Sequence, residues 1–444
     1  STKGRTPDLV QMFEMRLWIE TQAASIAAQR RDEADLLRMR TALQEMHDRR
    51  SDFAAAALAD VEFHRAIADA SKNDYFVAFH DFLRGQLAEA RRSAEPGFDH
   101  YGWQRLCDAG LWKLVIPLEY GGLGEDWWGF SAALEGLASS IRTPELLLSV
   151  IAQAGMVRAL MLYGSDAQKD RYLSAILAGA LSATGIAEPG TGTDVRSIHS
   201  LLTPVGGAYQ LSGSKFNIAH APVADFLLIV TRLATDSKHN IALVIIDKDT
   251  PGLTRGEPDD KLGNKHLPTG PLHFDNLPVP AEQVLGEPGR GLQQLIRIIS
   301  LGRAYYGLVA ANLPTPFLAE AMHYAANRQS FNSAIDTHQY VQKRLVDIAM
   351  GMERNRWMVY AALDQLLGND PQALMSCSIA KLGAAQDFIH SAISLLKLYG
   401  SLGYHEGDIA TLVKDALGFA SVGGTEEMHQ KNIFNQLLRL TQAG

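Results

Sequence analysis

Two stretches of the chain decide the fold. Residues 185–195 read Gly-Ile-Ala-Glu-Pro-Gly-Thr-Gly-Thr-Asp-Val, and residues 213–221 read Gly-Ser-Lys-Phe-Asn-Ile-Ala-His-Ala. The first is polar and glycine-rich and follows an apolar run, which is typical of a loop that offers backbone N–H groups and the Thr193 hydroxyl to an anionic or carbonyl-rich group. The second is typical of a strand edge. Each alone would be an ordinary turn, but their joint occurrence in this order predicts a binding site beside a β domain.

The flanking regions differ in periodicity. Short apolar runs at 226–230 and 241–246 are bounded by Gly, Pro, Asn and Asp, which predicts an antiparallel β domain. Apolar residues at helical spacing dominate before and after it. The order along the chain is helices, then strands, then helices. Strands and helices therefore do not alternate, as a doubly wound sheet would require. The prediction is a mainly α member of the α+β class, with a helical extension at 1–95, a helical domain at 96–180, the β domain at 181–286 and a helical bundle at 287–444.

Composition narrows the class of protein further. The 444 residues carry a formal net charge of −8, which argues against general nucleic-acid binding. Two cysteines, Cys107 and Cys377, form neither a disulfide framework nor a cysteine-rich zinc site. No uninterrupted apolar run approaches the ~18 residues of a membrane span, and no signal peptide is visible. We therefore expect a cytoplasmic protein that binds neither nucleic acid nor membrane.

Most familiar catalytic motifs are missing from the sequence. There is no dinucleotide-binding glycine fingerprint between a strand and a helix, no phosphate-binding Gly-Lys-Ser/Thr loop and no Gly-x-Ser-x-Gly elbow. The one metal-like spacing is Asp60 and His64, four residues apart on one helix. Two ligands do not hold a metal firmly, so no metal site is predicted.

Seven ordered motifs give the chain a resemblance to the acyl-CoA dehydrogenase family over residues 98–440. They are the segments 117–124, 163–169, 188–195, 276–286, 328–331 with Gln339, 398–404 and 414–416. The resemblance implies an N-terminal helical domain, a middle antiparallel β domain, a C-terminal four-helix bundle, and FAD bound between them. It also implies that Arg328 and Gln339 reach the cofactor of a neighbouring subunit, in a homodimer or homotetramer.

The same resemblance implies a set of FAD-binding residues, an acyl-CoA or acyl-carrier-protein substrate and an electron acceptor. The cofactor-binding candidates are Ile186, Ala187, Gly192, Thr193, Asn217, Ala219, Arg328, Phe331, Gln339, Gly400, Thr425 and Glu427. In the family, a glutamate in a dry pocket removes the α-proton of a thioester while hydride leaves the β-carbon for the flavin.

This sequence departs from the family at the catalytic base. Gly423 occupies the usual glutamate position, and Gly302 occupies the position that carries the base in other members. Ala187 and Ala219 stand where hydroxyl residues commonly contact the flavin, and Asn217 replaces an aromatic residue. The catalytic residue is therefore left unassigned. If loss of the base limits activity, Gly423→Glu should raise dehydrogenation.

Several interpretations stay open. Glu426, Glu427, Tyr305, Tyr306, Tyr399 and His220 are the side chains considered as substitute bases. Oxidation at Cα–Cβ is the leading function. The alternatives are a flavin monooxygenase or a base-independent lyase on the same fold, and a non-catalytic regulator that binds acyl thioesters.

The first 95 residues have a resemblance of their own. The segments 14–20 and 60–67 with Asn73 are similar to part of the effector-binding helical domain of GntR-type regulators. That domain usually binds metal through an Asp and three His residues, of which only Asp60 and His64 are matched. With no winged helix, DNA binding is not expected. We expect this segment to replace the first helix of the dehydrogenase family and to cap the rest of the chain.

Overall fold

The computed structural model describes residues 9–48, 53–77, 97–124, 126–192, 194–235, 237 and 239–443. The chain divides into two units, 1–96 and 97–444. In the first unit the described helices are α1 (Leu9–Arg30), α2 (Glu33–Asp48) and α3 (Phe53–Ala70). Asp35 of α2 is buried and accepts a hydrogen bond from Lys72 Nζ at 2.6 Å, which ties α2 to the end of α3.

The second unit begins with a helical domain. Its helices are α4 (His100–Asp108), α5 (Trp127–Ser140), α6 (Glu145–Tyr163) and α7 (Asp166–Leu177). Side chains cap the orphan N–H groups at the starts of α5 and α7: Asp126 accepts from two amides of α5, and Ser165 and Gln168 form a capping box on α7. Among described helices, α6 has the length and apolar composition of a membrane span. Because 67% of that segment is buried inside the protein, α6 has the character of a core helix.

The middle domain is a sheet of eight strands. They are β1 (Ser182–Gly185), β2 (Leu201–Val205), β3 (Ala208–Ala219), β4 (Phe226–Leu233), β5 (Ile241–Asp247), β6 (Leu253–Arg255), β7 (Thr269–Val279) and β8 (Val284–Gly289). The order is β6-β7-β3-β2-β4-β5-β8, with β1 paired to β4. Most pairs are antiparallel as predicted, but β1 and β2 run parallel to β4, so the sheet is mixed.

The chain then returns to helices. These are α8 (Gly291–Asn312), α9 (Thr315–Asn327), α10 (Gln339–Leu367), α11 (Ala373–Tyr399), α12 (Asp408–Gly418) and α13 (Glu426–Ala443). A short hairpin of two strands, β9 (Gln329–Ser330) and β10 (Ser333–Ala334), lies between α9 and α10. The long helices α8, α10 and α11 pack on one another to form the core of the bundle. One apolar cluster runs from the helical domain through one face of the sheet into this bundle.

Candidate functional site

A buried ion pair anchors the glycine-rich loop after β1. Lys215 Nζ on β3 donates to Glu188 Oε1 at 2.8 Å and to the carbonyl oxygen of Ile186 at 3.1 Å. The backbone amide of Ser200 donates to the same carboxylate at 3.1 Å. Lys215 is fully buried and Glu188 is 5% exposed. Desolvation by burial raises the pKa of Glu188, but hydrogen bonds from the His199 amide, from Lys215 and from Ser200 outweigh it and keep that pKa below its usual value. Burial lowers the pKa of Lys215, and its hydrogen bond to Glu188 opposes that effect, so each member of the pair stabilises the charge of the other.

The predicted residues of the loop and of β3 come together. The amide of Phe216 donates to the carbonyl of Ala187 at 2.9 Å, so the loop lies directly beside β3. The pairing of β3 with β7 shifts register between Lys215 and Ile218, and Asn217 has a left-handed φ of 53° within this bulge. Such bulges re-aim side chains next to functional sites. Ile186 and Ala219 are partly buried beside the main core. Thr193 lies outside the described residues.

Three glycines in these segments border open space. Gly190, Gly192 and Gly400 have positive φ, and a Cβ added at any of them would meet no atom within 4 Å. The first two belong to the anchored loop, and Gly400 follows α11. Left-handed glycines in a loop turn successive N–H groups toward one side, which suits an anionic ligand. The chain therefore offers room and backbone donors where the FAD prediction requires them.

The remaining predicted cofactor residues lie on other elements. Arg328, Phe331 and Gln339 flank the β9–β10 hairpin, and all three are exposed, Phe331 at 91%. Thr425 accepts a hydrogen bond from the amide of Met428 and so caps α13, whose second residue is the exposed Glu427. Within the described chain no hydrogen bond joins either group to the 186–192 loop. Their role as FAD ligands stays a prediction.

A group of buried basic residues surrounds the turn that carries Gly423. Lys381 on α11 donates to the carbonyls of Phe419 and Gly424 at 2.9 and 2.8 Å. Burial lowers the pKa of Lys381 to about 8 and that of Arg303 to about 10. His429 is fully buried, and burial, with Arg303 and Lys381 nearby, lowers its pKa to about 3. Sequence reasoning missed this group, although Lys381 lies among small and apolar residues in the first half of α11.

The ring of Tyr306 occupies the space next to both vacant base positions. A Cβ built on Gly423 would lie 2.7 Å from Tyr306 Cε2, closer than real Cβ contacts allow, and 3.3 Å from Cγ. A Cβ on Gly302, one turn earlier on α8, would lie 3.9 Å from the same Cε2. Gly423 also has a positive φ of 70°. An aromatic ring therefore stands where the family places a carboxylate.

The other side chains considered as bases are engaged elsewhere. Tyr305 is fully buried and donates to the carbonyl of Trp127 at 3.3 Å, and Ser131 donates to its hydroxyl at 3.2 Å. His220 is fully buried, with Nδ1 donating to the carbonyl of Ser182 at 3.0 Å and Nε2 lying 2.8 Å from Ser149 Oγ. Burial lowers its pKa to about 4. Both residues have the contacts of structural side chains.

The remaining candidates are placed as follows. Tyr399 stacks on Tyr324 with ring centroids 4.7 Å apart, and Gln386 donates to Glu426 at 3.4 Å.

In the first unit, His64 Nδ1 lies 3.2 Å from Glu20 Oε2. Within the described residues, no group of three or more His, Cys, Asp or Glu side chains is arranged to hold a metal ion.

Comparison with known proteins shows which protein families the segments of this chain resemble. Family models of the acyl-CoA dehydrogenase N-terminal, middle and C-terminal domains match residues 74–180, 183–277 and 289–438, and an FCD domain model matches residues 11–108. The FCD domain is of the GntR effector-binding type, which confirms the second resemblance.

Relatives and solved structures agree with these matches. The mitochondrial isovaleryl-CoA dehydrogenase of Oryza sativa subsp. japonica is 30% identical over 76% of this chain and 83% of its own length. An acyl-CoA dehydrogenase of Bacillus subtilis is 29% identical over 81% and 95%, and a 3-(aryl)acrylate reductase of Clostridium sporogenes is 27% identical over 76% and 89%. The crystal structure of an FAD-dependent dehydrogenase superposes with a TM-score of 0.73 at 27% identity, covering 78% of this chain and 95% of the other. The prolyl acyl carrier protein oxidase AnaB superposes with a TM-score of 0.74 at 25% identity, covering 77% and 91%.

The chain belongs to the acyl-CoA dehydrogenase family. This confirms the fold predicted from sequence, with its helical, β and helical domains. It also confirms FAD as the cofactor, since the family binds FAD. The open glycine loop beside β3 fits that cofactor.

Proposed function

We propose that the chain is an FAD-dependent oxidoreductase that acts on the Cα–Cβ bond of an acyl thioester. The observation that carries the proposal is the loop at 186–192, which the Glu188–Lys215 pair fixes beside the bulge of β3 with open space at its glycines. A site held on buried, fully bonded supports keeps its geometry, which is what positioning a cofactor against a substrate demands.

The residues that would hold FAD are the twelve predicted from the resemblance. When bound, FAD supplies two-electron chemistry at the β-carbon. Ile186, Val195 and Ala219 of the β domain and Ile299 of α8 are partly buried apolar side chains at the margin of the core. Apolar walls of this kind exclude water and strengthen each electrostatic contact to a thioester carbonyl.

The substrate is an acyl-CoA or an acyl carrier protein thioester. The names of relatives include dehydrogenases and a reductase, which favours chemistry at the Cα–Cβ bond in either direction. The AnaB structure is named as an oxidase of a prolyl acyl carrier protein, which supports a carrier protein as an alternative to CoA. We also propose a cytoplasmic homo-oligomer that exchanges electrons with a partner protein.

The glycines at 302 and 423 favour a second candidate. A reaction that needs no α-carbon base, such as elimination of a β-leaving group or oxygen activation at a reduced flavin, would tolerate glycine at both positions. The FCD match at 11–108 supports the third candidate, a regulator that binds thioesters without turnover.

Anaerobic mixing of the purified full-length protein with a thioester panel tests the proposal. The panel holds butyryl-, octanoyl-, isovaleryl- and phenylpropionyl-CoA and their 2-enoyl counterparts, and the flavin absorbance is followed. Bleaching by a saturated member, or reoxidation of the dithionite-reduced protein by an enoyl member, supports the proposal. A yellow protein that responds to no member favours the second or third candidate. A protein that takes up no FAD contradicts all flavoenzyme functions.

A further inference from the structure

We propose that the Tyr306 hydroxyl exchanges the proton at Cα of the thioester in place of the family carboxylate. This inference rests on the proposed function, because it names the proton-transfer group of the same site.

The position of the ring is the first observation. The two base positions of the family lie on different elements, one on α8 and one in the turn before α13, and Tyr306 contacts both. Its Cε2 lies 2.7 Å from a Cβ at Gly423 and 3.9 Å from a Cβ at Gly302. The Tyr306 ring thus lies against both positions from which family members present their carboxylate.

The state of the hydroxyl is the second observation. In the described part of the chain no group forms a hydrogen bond with Tyr306, whereas the neighbouring Tyr305 is bonded to Ser131 and Trp127. A buried phenol usually finds a partner. Tyr306 also keeps some accessible surface while its ring packs against the core, as a side chain lining a pocket does. The unpaired hydroxyl is thus available to a ligand.

Burial keeps the phenol of Tyr306 protonated in the resting protein. It raises the pKa of Tyr306 to about 12, well above neutral pH. The charged or titratable side chains around the same turn are Arg303 on α8, Lys381 on α11, and Glu426 and His429 on α13, and none of them hydrogen-bonds to the phenol. The protonated phenol can donate to an enolate-like Cα, and in the oxidative direction it must first lose its own proton.

The proton added at Cα and the hydride equivalent added at Cβ come from different groups. The Tyr306 O–H bond breaks and its proton forms a new C–H bond at Cα, while the carbon–carbon π bond opens. The hydride equivalent for Cβ would come from reduced FAD, and two one-electron transfers from a carrier protein, with uptake of protons from solvent, would restore the reduced cofactor. The substrate gains two electrons, and the phenolate left on Tyr306 takes a proton from solvent.

The test compares full-length wild-type protein with Tyr306→Phe and Tyr305→Phe, its matched neighbour in the core. Exchange of the α-hydrogen of the best-binding saturated panel thioester for deuterium is followed by mass spectrometry. Reduction of the matching enoyl thioester by dithionite-reduced protein is followed by absorbance. FAD content, thermal midpoint and calorimetric affinity for the saturated thioester are measured on the same samples, because they report on structure and binding apart from turnover.

We expect Tyr306→Phe to keep FAD, fold and affinity while exchange and reduction fall roughly 100-fold or more. Tyr305→Phe should lower the thermal midpoint and leave both rates within about threefold of wild type. Wild-type reduction should be nearly independent of pH between about pH 6 and pH 9, whereas oxidation rises with pH as phenolate forms.

Two results would overturn the inference. If Tyr306→Phe retains both rates, the hydroxyl is not the proton-transfer group although the proposed function stands. If the wild-type protein binds FAD but neither exchanges nor reduces any panel member, the inference and the proposed function fail together.

Discussion

Lys381 Nζ donates to the carbonyl oxygen of Gly424 at 2.8 Å and so fastens α11 to the turn that begins α13. The same amine holds the carbonyl of Phe419, and the side chain is 1% exposed. Two backbone acceptors of this turn therefore depend on one buried lysine.

Lys381→Met should destabilise the protein by about 2–4 kcal/mol, because it leaves two buried carbonyls without a donor. The exposed Lys397 on the same helix gives the control, Lys397→Met. Chemical unfolding of both variants checks the prediction. Equal stability of the two variants would show that the turn holds its shape without the lysine.

Gly423→Glu alone should lower stability and fail to raise dehydrogenation, contrary to the expectation from sequence. The new Cβ would meet the Tyr306 ring, and a side chain at a φ of 70° costs about 1–2 kcal/mol in addition. The double variant Gly423→Glu/Tyr306→Ala should lose less stability than the sum of the single changes, since it removes the overlap. A double-mutant cycle of unfolding free energies measures this coupling, and simple additivity would refute the contact.

Asp415 makes stability depend on pH near neutrality. Burial, with Glu145 nearby, raises its pKa to about 7, and its Oδ2 has no hydrogen-bond partner. The native state therefore keeps a proton that the unfolded chain releases above about pH 4, so stability falls as pH rises from about 4 to 7, by about 4 kcal/mol.

Asp415→Asn should flatten this decline, whereas Asp260→Asn, at an exposed carboxylate, should not. Unfolding free energies across that pH range check both variants. A wild-type profile that rises with pH and is unchanged in Asp415→Asn would contradict the assignment.

His220 makes stability depend on pH in the opposite direction to Asp415. Burial lowers its pKa to about 4, so the unfolded chain binds a proton that the native state refuses between about pH 6.5 and pH 4. Stability from this residue is present above about pH 6.5 and is lost as the pH falls to about 4, by up to about 3 kcal/mol. His220→Asn should remove that acid sensitivity, while His199→Asn, at an exposed ring, should retain it.

Phe331 offers a test of the predicted contact between subunits. Its side chain is 91% exposed in the single chain, at a left-handed φ of 51°. Phe331→Ser should reduce the FAD-to-protein absorbance ratio and weaken oligomers seen by light scattering, whereas Leu262→Ser, at another exposed apolar residue, should change neither. Full FAD retention and unchanged mass would remove Phe331 from the cofactor site.

Sequence periodicity predicted the order of the domains because the strongest signals are local. The runs 226–230 and 241–246 became β4 and β5, buried along almost their whole length. The parallel pairing of β1 with β4 could not be predicted, because a four-residue strand has too little pattern to fix a partner.

The contact of Tyr306 with Gly423 was also beyond sequence reasoning. The two residues are far apart in the chain, and Tyr306 follows Tyr305, so periodicity alone could not tell which tyrosine faces the core and which faces the site. Arg303 and Lys381 are residue types usually found at the surface. Their burial follows from how the helices pack around one turn.

The Glu188–Lys215 pair sets how the protein should respond to ionic strength. Surface ion pairs weaken as salt is added, but a pair with almost no contact with solvent is hardly screened. Raised salt should therefore leave the 186–192 loop in place and act first on exposed charges such as Arg328. Loss of FAD in concentrated salt would therefore indicate that exposed charges had been screened, because the Glu188–Lys215 pair beneath the loop is shielded from solvent.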